Sequence, residues 1–145
     1  MAQRTASDLL GAHVSVQGGV ATAPARGMAI GASALQVFTK TPNQWREPVL
    51  GNDVAETFRR EITRSGVAQI VSHDSYLINL ASPDGVLRKR SEDAFCGELG
   101  RCELLGIPYV VSHPGNFIDA RAAGLRRNAT AYTRCLRAVP GRANG

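Results

Sequence analysis

The sequence predicts an α/β fold built on a parallel sheet. Strand-like and helix-like segments alternate through about four rounds, the arrangement that gives parallel strands joined by right-handed crossovers. The strand-like segments are short apolar runs without period-two alternation, as in sheets that are covered on both faces. Two of these runs are followed at once by a histidine. The chain of 145 residues, 43% hydrophobic and 20% charged, fits one globular domain.

The first half of the sequence contains two strand–helix units. A short apolar strand is predicted over 9–14, and a helix of small residues over 18–30, ended by a glycine. The second strand is predicted over 34–38 and is followed by a polar loop. Asp53 is predicted to cap the second helix because Glu56 follows three residues later. That helix places three apolar residues four positions apart, at Val54, Phe58 and Ile62.

The second half of the sequence repeats the pattern. Strands are predicted over 68–72 and 109–112, with a helix over 84–105 between them and a last helix from about Asp119. The tail, 140–145, is predicted to be a loop at the point where a fifth strand would follow. Apolar stripes are predicted on the third helix at Phe95, Leu99, Cys102 and Leu105, and on the fourth at Ala122, Leu125, Ala129, Tyr132, Leu136 and Val139.

Histidines at the ends of the third and fourth strands are the candidate functional residues. His73 and His113 directly follow strand residues, and the carboxyl ends of parallel strands carry the active sites of α/β barrels. Because imidazole is a common zinc ligand, two histidines at neighbouring strand ends predict part of a metal site. His13 ends the first strand, and we expect it to be a core residue or to support the ligands. The sequence alone also allows all three to be structural.

Charge and cysteine content constrain the partners and the compartment. A formal charge of +5, with 17 basic residues of which only Lys40 and Lys89 are lysine, is compatible with a polyanionic partner or with a solvated basic surface. Three cysteines, Cys96, Cys102 and Cys135, are expected to be buried thiols. No secretion signal and no apolar run of membrane-spanning length is present, so we expect a cytoplasmic protein without a membrane partner.

Several short stretches share their residues with a known family, in that family's order and spacing. The block at 73–80, His-Asp-Ser-Tyr-Leu-Ile-Asn-Leu, is the most specific of them. The others are 11–15 with 18–19, 36–40 with 44–45, Ser91 with Phe95 and Glu98, 101–102 with 105–106, and 113–115. On these residues the chain resembles the N-terminal half of endonuclease IV, the zinc-dependent apurinic/apyrimidinic endonucleases, also called deoxyribonuclease IV.

The resemblance implies a partial (β/α)8 TIM barrel of about four βα units across residues 1–145. The family holds three zinc ions and hydrolyses the phosphodiester 5′ to abasic sites in duplex DNA during base-excision repair. His73 and His113 match two ligands of one zinc, and the remaining ligands belong to later strands. We therefore expect at most one partial zinc site, no complete catalytic set and no activity from this truncated chain alone. Matching DNA-contact positions are Gln44 and Trp45 in one loop and Tyr76 and Leu77 in another.

Alternatives to this interpretation stay open at the level of sequence. The chain could be a fragment that binds damaged DNA without cutting it, or an inert truncated product. A metal-dependent sugar isomerase or epimerase of the same barrel superfamily is a further alternative, although it gives no reason for the 73–80 block or the loop at Trp45. Four βα units would also leave two open strand edges, which predicts self-association through the open half barrel.

Overall fold

A computed structural model describes residues 8–139 and 141. It contains a four-stranded parallel sheet in the order β1-β2-β3-β4, which confirms the predicted α/β fold and its four βα units. The part of the predicted tail at 140 and 142–145 lies outside the described residues. The elements are β1 Gly11–His13, a short 3₁₀ turn Val20–Thr22, α1 Ala23–Ala29, β2 Ala34–Val37, α2 Asn52–Ser65, β3 Gln69–His73, α3 Gly85–Leu105, β4 Tyr109–Val111 and α4 Arg121–Ala138.

The helices cover one face of the sheet, and the other face is more open. In β2 and β3 buried residues alternate with half-buried ones, so that Leu35, Val37 and Ile70 point towards the helices. On the opposite face, Tyr109 of β4 is 60% exposed and Val111 is 42% exposed. The expectation of a sheet covered on both faces is therefore wrong for the described residues. The described residues form no second layer over this face.

Glycine and aspartate set the helix ends. Asp84 caps α3 at its predicted start, because its carboxylate accepts hydrogen bonds from the backbone N–H groups of Val86, at 2.8 Å, and Leu87, at 3.0 Å. Asp53 does not cap α2. That helix begins at Asn52, and Gly51 occupies the cap position. Among the described helices none is long and apolar enough to cross a membrane.

Two apolar clusters form the core. One lies between the sheet and α1, α2 and α3, and includes Leu35, Val37 and Phe58. The other lies between α3 and α4 and includes Leu80 and Phe95. The predicted stripe of α4 is out of phase, since Leu125 and Leu136 are each 57% exposed. Apolar residues occur around most of this alanine-rich helix, so periodicity alone does not select a face. The buried positions are Gly124, Asn128, Ala131 and Cys135.

A disulfide joins α3 to α4. The sulfur atoms of Cys96 and Cys135 are bonded, and their Cα atoms lie 5.0 Å apart. Only Cys102 is a free, buried thiol among the described residues, so the expectation of three thiols is wrong for the other two. The two cysteines are 39 residues apart in the sequence, and this spacing does not predict that they meet.

Candidate functional site

The two candidate histidines meet at the carboxyl end of the sheet. β3 ends at His73, which is aligned with Val111 at the end of β4, and His113 follows two residues later. The Nε2 atoms of His73 and His113 lie 3.2 Å apart. Nδ1 of His73 is 2.8 Å from the backbone oxygen of Asp74. This contact places the proton of a neutral imidazole on Nδ1 and leaves the lone pair of Nε2 directed towards His113.

The geometry of this pair fits two ligands of one zinc ion. Two nitrogens bound tetrahedrally at about 2.0–2.1 Å from zinc are about 3.3–3.4 Å apart, and the observed Nε2 separation is 3.2 Å. The side chain of His73 is only 12% exposed, so its orientation is fixed by packing. Among the described residues no group of three or more histidine, cysteine, aspartate or glutamate side chains could hold a metal. The pair therefore supplies two ligands, and a zinc site needs at least one further protein ligand.

The Asp74 carboxylate is hydrogen-bonded to the residue after β4 and not to the ring of His73. This carboxylate is buried and accepts a hydrogen bond from the Ser112 hydroxyl at 2.6 Å. Ser112 is in turn 3.0 Å from the Tyr132 hydroxyl of α4. Burial raises the pKa of the Asp74 carboxyl, and the bond from Ser112 opposes this shift. The carboxylate therefore ties the ends of β3 and β4 together beneath the histidine pair.

His13 lies beside the pair and is exposed, so the expectation that it is a core residue is wrong. Its ring centroid is 4.4 Å from that of Phe38 and 6.4 Å from that of His73. Partial desolvation among these rings lowers the pKa of His13, and the neighbouring His73 lowers it further. A supporting role for His13 near the ligands stays a prediction.

The two loops predicted to contact DNA are joined to each other. The backbone oxygen of Pro42 accepts hydrogen bonds from the Ser75 hydroxyl, at 2.5 Å, and from the Tyr76 N–H, at 3.0 Å. Tyr76 is 64% exposed, with its ring edge-on to Phe38 at 5.3 Å. Gln44 is exposed as well, whereas Leu77 is half-buried. Both loops therefore lie on the rim where the histidines are.

Trp45 is placed differently from the other predicted DNA-contact residues. Its ring is half-buried and packs against the cluster between α3 and α4. The guanidinium of Arg90 lies over the ring, 4.6 Å from its centroid. These contacts give Trp45 a packing role in the fold, and its contact with DNA stays a prediction.

A buried polar network that we did not predict holds the loop after β2. Glu98 of α3 is 1% exposed and accepts hydrogen bonds from Thr39 and Arg101, both at 2.7 Å, and from Ser72. Arg101 also donates to Glu47, which lies further along the same loop. In the sequence, Glu98 and Arg101 lie in phase with the apolar stripe of α3. Charged residues at such positions indicate a buried polar network.

Two asparagines fix the loop that carries His113. The side-chain amide of Asn128 donates to the backbone oxygen of Pro114 at 2.6 Å, and Asn79 holds Asn116. The side-chain amide of Asn79 donates to the backbone oxygen of Asn116, and the Asn116 N–H donates back to the Asn79 side-chain oxygen, each at 3.0 Å. Gly115 lies against Asn79 with a φ of 79°, a conformation that favours glycine. This close approach and the positive φ both favour glycine at position 115.

A parallel sheet with helices on its outer face, and with histidines at the carboxyl ends of adjacent strands, defines part of an α/β barrel that carries its functional groups at the mouth. The sequence profile of one such family agrees, matching residues 25–140. The chain belongs to that family, the xylose isomerase-like TIM barrels.

The resemblance to endonuclease IV is confirmed by similar proteins. The chain is 44% identical over 135 residues to a probable endonuclease 4 of Geobacter sulfurreducens, covering 92% of this chain and 46% of that protein. The crystal structure of endonuclease IV from Thermus thermophilus superposes with a TM-score of 0.83 at 34% identity, over 93% of this chain and 48% of the other. The chain thus spans about half the length of these relatives.

A D-psicose 3-epimerase from Clostridium cellulolyticum has a TM-score of 0.64 at 12% identity, covering 92% of this chain and 49% of the epimerase. At that identity the similarity concerns the fold alone. It shows that the βα units of this chain are shared by barrels of different chemistry, and that function has to be argued from the site.

Proposed function

We propose that the protein is a zinc-dependent apurinic/apyrimidinic endonuclease that hydrolyses the phosphodiester 5′ to abasic sites in duplex DNA during base-excision repair. The observation that carries the proposal is the 3.2 Å separation of the His73 and His113 Nε2 atoms at the mouth of the sheet. The relatives named endonuclease 4, at 40–46% identity, support the same chemistry.

His73 and His113 would hold one zinc ion through Nε2. A bound zinc ion supplies polarisation of a phosphate oxygen and lowers the pKa of water near it. The backbone oxygen of Asp74 keeps the proton of His73 on Nδ1, and Asn79 keeps the His113 loop in place. Because catalytic zinc sites use about three protein ligands, we propose that these residues alone bind zinc weakly and do not complete the reaction.

We further propose that Gln44, Trp45, Tyr76 and Leu77 contact DNA. The exposed ring of Tyr76 offers a stacking surface at an abasic gap, beside the histidine pair. A non-catalytic fragment that binds damaged DNA is the second candidate function, because both rim loops are folded in this chain although the metal donors among the described residues are incomplete. An inert product remains the alternative if neither loop binds.

Self-association through the open half barrel is proposed from the exposed inner face of the sheet. Tyr109 and Val111 lie there, and β1 and β4 each have one edge without a strand partner among the described residues. Open edges and exposed apolar residues favour pairing with another chain. We keep the cytoplasm as the proposed compartment.

Binding to a labelled duplex with one abasic site, compared with the intact duplex, tests the proposal. Tyr76→Ala is expected to weaken binding to the abasic duplex more than to the intact one. The control is Met28→Ala, because Met28 is an exposed apolar side chain, at 56% against 64% for Tyr76, and lies on α1. Equal losses on both duplexes, or the same loss from the control, would contradict the role of Tyr76. Incision that a chelator stops and zinc restores would show that these residues complete the catalytic site.

A further inference from the structure

A basic groove runs between α3 and α4 on the outer surface, away from the histidine pair. It has a volume of about 340 Å³. Its lining contains four arginines, one glutamate and one threonine. These residues are Arg88, Glu92, Arg126, Arg127, Thr130 and Arg134. The surplus of positive charge distinguishes this groove from a surface of mixed charge.

Neighbouring acids neutralise only part of this surplus. α4 carries five arginines and no acidic residue over Arg121–Ala138. Arg126 is exposed and makes no hydrogen bond or ion pair within the described part of the chain. Arg134 is 68% exposed and reaches only Glu92, at 3.5 Å. Arg127 alone has a close acidic partner, Asp119, at 2.9 and 2.6 Å.

The arginines of α4 that line the groove form a row along the helix and not a compact cluster. Arg126, Thr130 and Arg134 are spaced four residues apart, which places them along one face of the helix over about 12 Å. A row of guanidinium groups with a hydroxyl donor between them suits a chain of phosphates, because arginine binds phosphate through paired N–H donors. An apolar partner does not match this lining, in which charged side chains predominate.

The groove begins beside the predicted DNA-contact loop. Nε of Arg127 donates to the backbone oxygen of Ala81 at 2.7 Å, and Arg88 donates to that of Ser82, also at 2.7 Å. Ala81 and Ser82 directly follow the 73–80 block, which contains Tyr76 and Leu77. Two arginines of the groove are therefore hydrogen-bonded to the backbone that continues from this block.

We propose that the groove between α3 and α4 binds the phosphate backbone of duplex DNA that flanks the site at the rim, whether or not the DNA is damaged. This inference rests on the proposed function for the nature of the polyanion. It adds a contact surface that lies outside the barrel mouth and whose contribution is electrostatic and independent of sequence.

The salt dependence of duplex binding tests the groove. The double variant Arg126→Ala/Arg134→Ala is compared with Arg60→Ala/Arg64→Ala, a control pair on α2 whose side chains are 59% and 71% exposed. Loss of two phosphate contacts lowers the slope of log K against log salt by about 1.8. We expect this decrease for the groove variant on both abasic and intact duplexes, and none for the control. Arg126→Lys/Arg134→Lys should keep the wild-type slope, and circular dichroism checks the fold of each variant.

Four results would overturn the inference: an unchanged slope in the groove variant, the same decrease in the control pair, a loss confined to the abasic duplex, or binding to anionic phospholipid vesicles with none to duplex DNA. The test separates this inference from the proposed function. A groove-dependent slope without abasic preference would leave the groove standing and remove the endonuclease proposal. An abasic preference that depends on Tyr76, with an unchanged slope in the groove variant, would support the endonuclease proposal and overturn the inference about the groove.

Discussion

The Nε2 atoms of His73 and His113 lie 3.2 Å apart although 40 residues separate them in the sequence. Parallel pairing of β3 with β4 aligns His73 with Val111, and the loop that follows returns His113 to the same end of the sheet. Hydrogen bonds between Asn79 and Asn116 hold that loop. The approach of the two rings is therefore a consequence of the fold.

The first prediction concerns the backbone of the His113 loop. Gly115→Ala is expected to destabilise the protein by about 1–3 kcal/mol, because the residue has a left-handed conformation and its added methyl would lie 3.0 Å from the Asn79 Cα atom. Gly100→Ala is the control, since a methyl there meets nothing within 4 Å on α3, and it should stabilise. Denaturant unfolding measures both. Equal stability of Gly115→Ala and the wild type would contradict the close approach.

The second prediction concerns the buried network at Glu98. Glu98→Ala removes the 1% exposed carboxylate that accepts from Thr39, Ser72 and Arg101, and leaves Glu47 as the carboxylate partner of Arg101. Breaking a buried ion pair in this way costs about 3–5 kcal/mol. Glu61→Ala removes a surface pair with Arg64 and should cost less than about 1 kcal/mol. Thermal unfolding separates the two. A similar small loss for both variants would show that the network does not hold the loop.

The third prediction concerns the thiols. Burial raises the pKa of the Cys102 thiol to about 12, so almost no thiolate exists at neutral pH. The native protein should therefore resist a thiol reagent, and the unfolded protein, kept without reductant, should react at one thiol per chain. Three reactive thiols after unfolding would contradict the bond between Cys96 and Cys135. Rapid labelling of the native protein would contradict the burial of Cys102.

The fourth prediction concerns pH. Hydrogen bonds from Arg127 lower the pKa of Asp119 from 3.8 to about 2. Because the pKa is lower in the folded state, the stabilisation is present above the ordinary carboxyl pKa of about 3.9 and is lost as the pH falls through about 2. An NMR titration of the carboxyl carbon should give this low pKa, and Arg127→Gln should return it towards 3.8. An unchanged titration in the variant would exclude Arg127 as the cause.

The order of elements could be predicted from the sequence because apolar runs alternate with helical patterns. The histidine pair was predictable for a related reason, since neighbouring parallel strands end at the same edge. What could not be predicted depends on which helix faces meet. The pairing of Cys96 with Cys135 requires α4 to lie on α3 in one rotation, and the apolar residues of α4 indicated a different one. The network at Glu98 likewise joins α3 to β3 and to the loop after β2.

The central claim is that His73 and His113 bind the same zinc ion. Two-dimensional ¹H–¹⁵N NMR of the imidazole nitrogens, recorded while zinc is added, tests it most directly. We predict that the Nε2 resonances of both residues shift together along one binding curve as zinc is added, that His73→Ala and His113→Ala each abolish the shift of the other ring, and that His13→Ala leaves it unchanged. Zinc-induced shifts at only one of the two rings, at Nδ1, or at neither would contradict the claim.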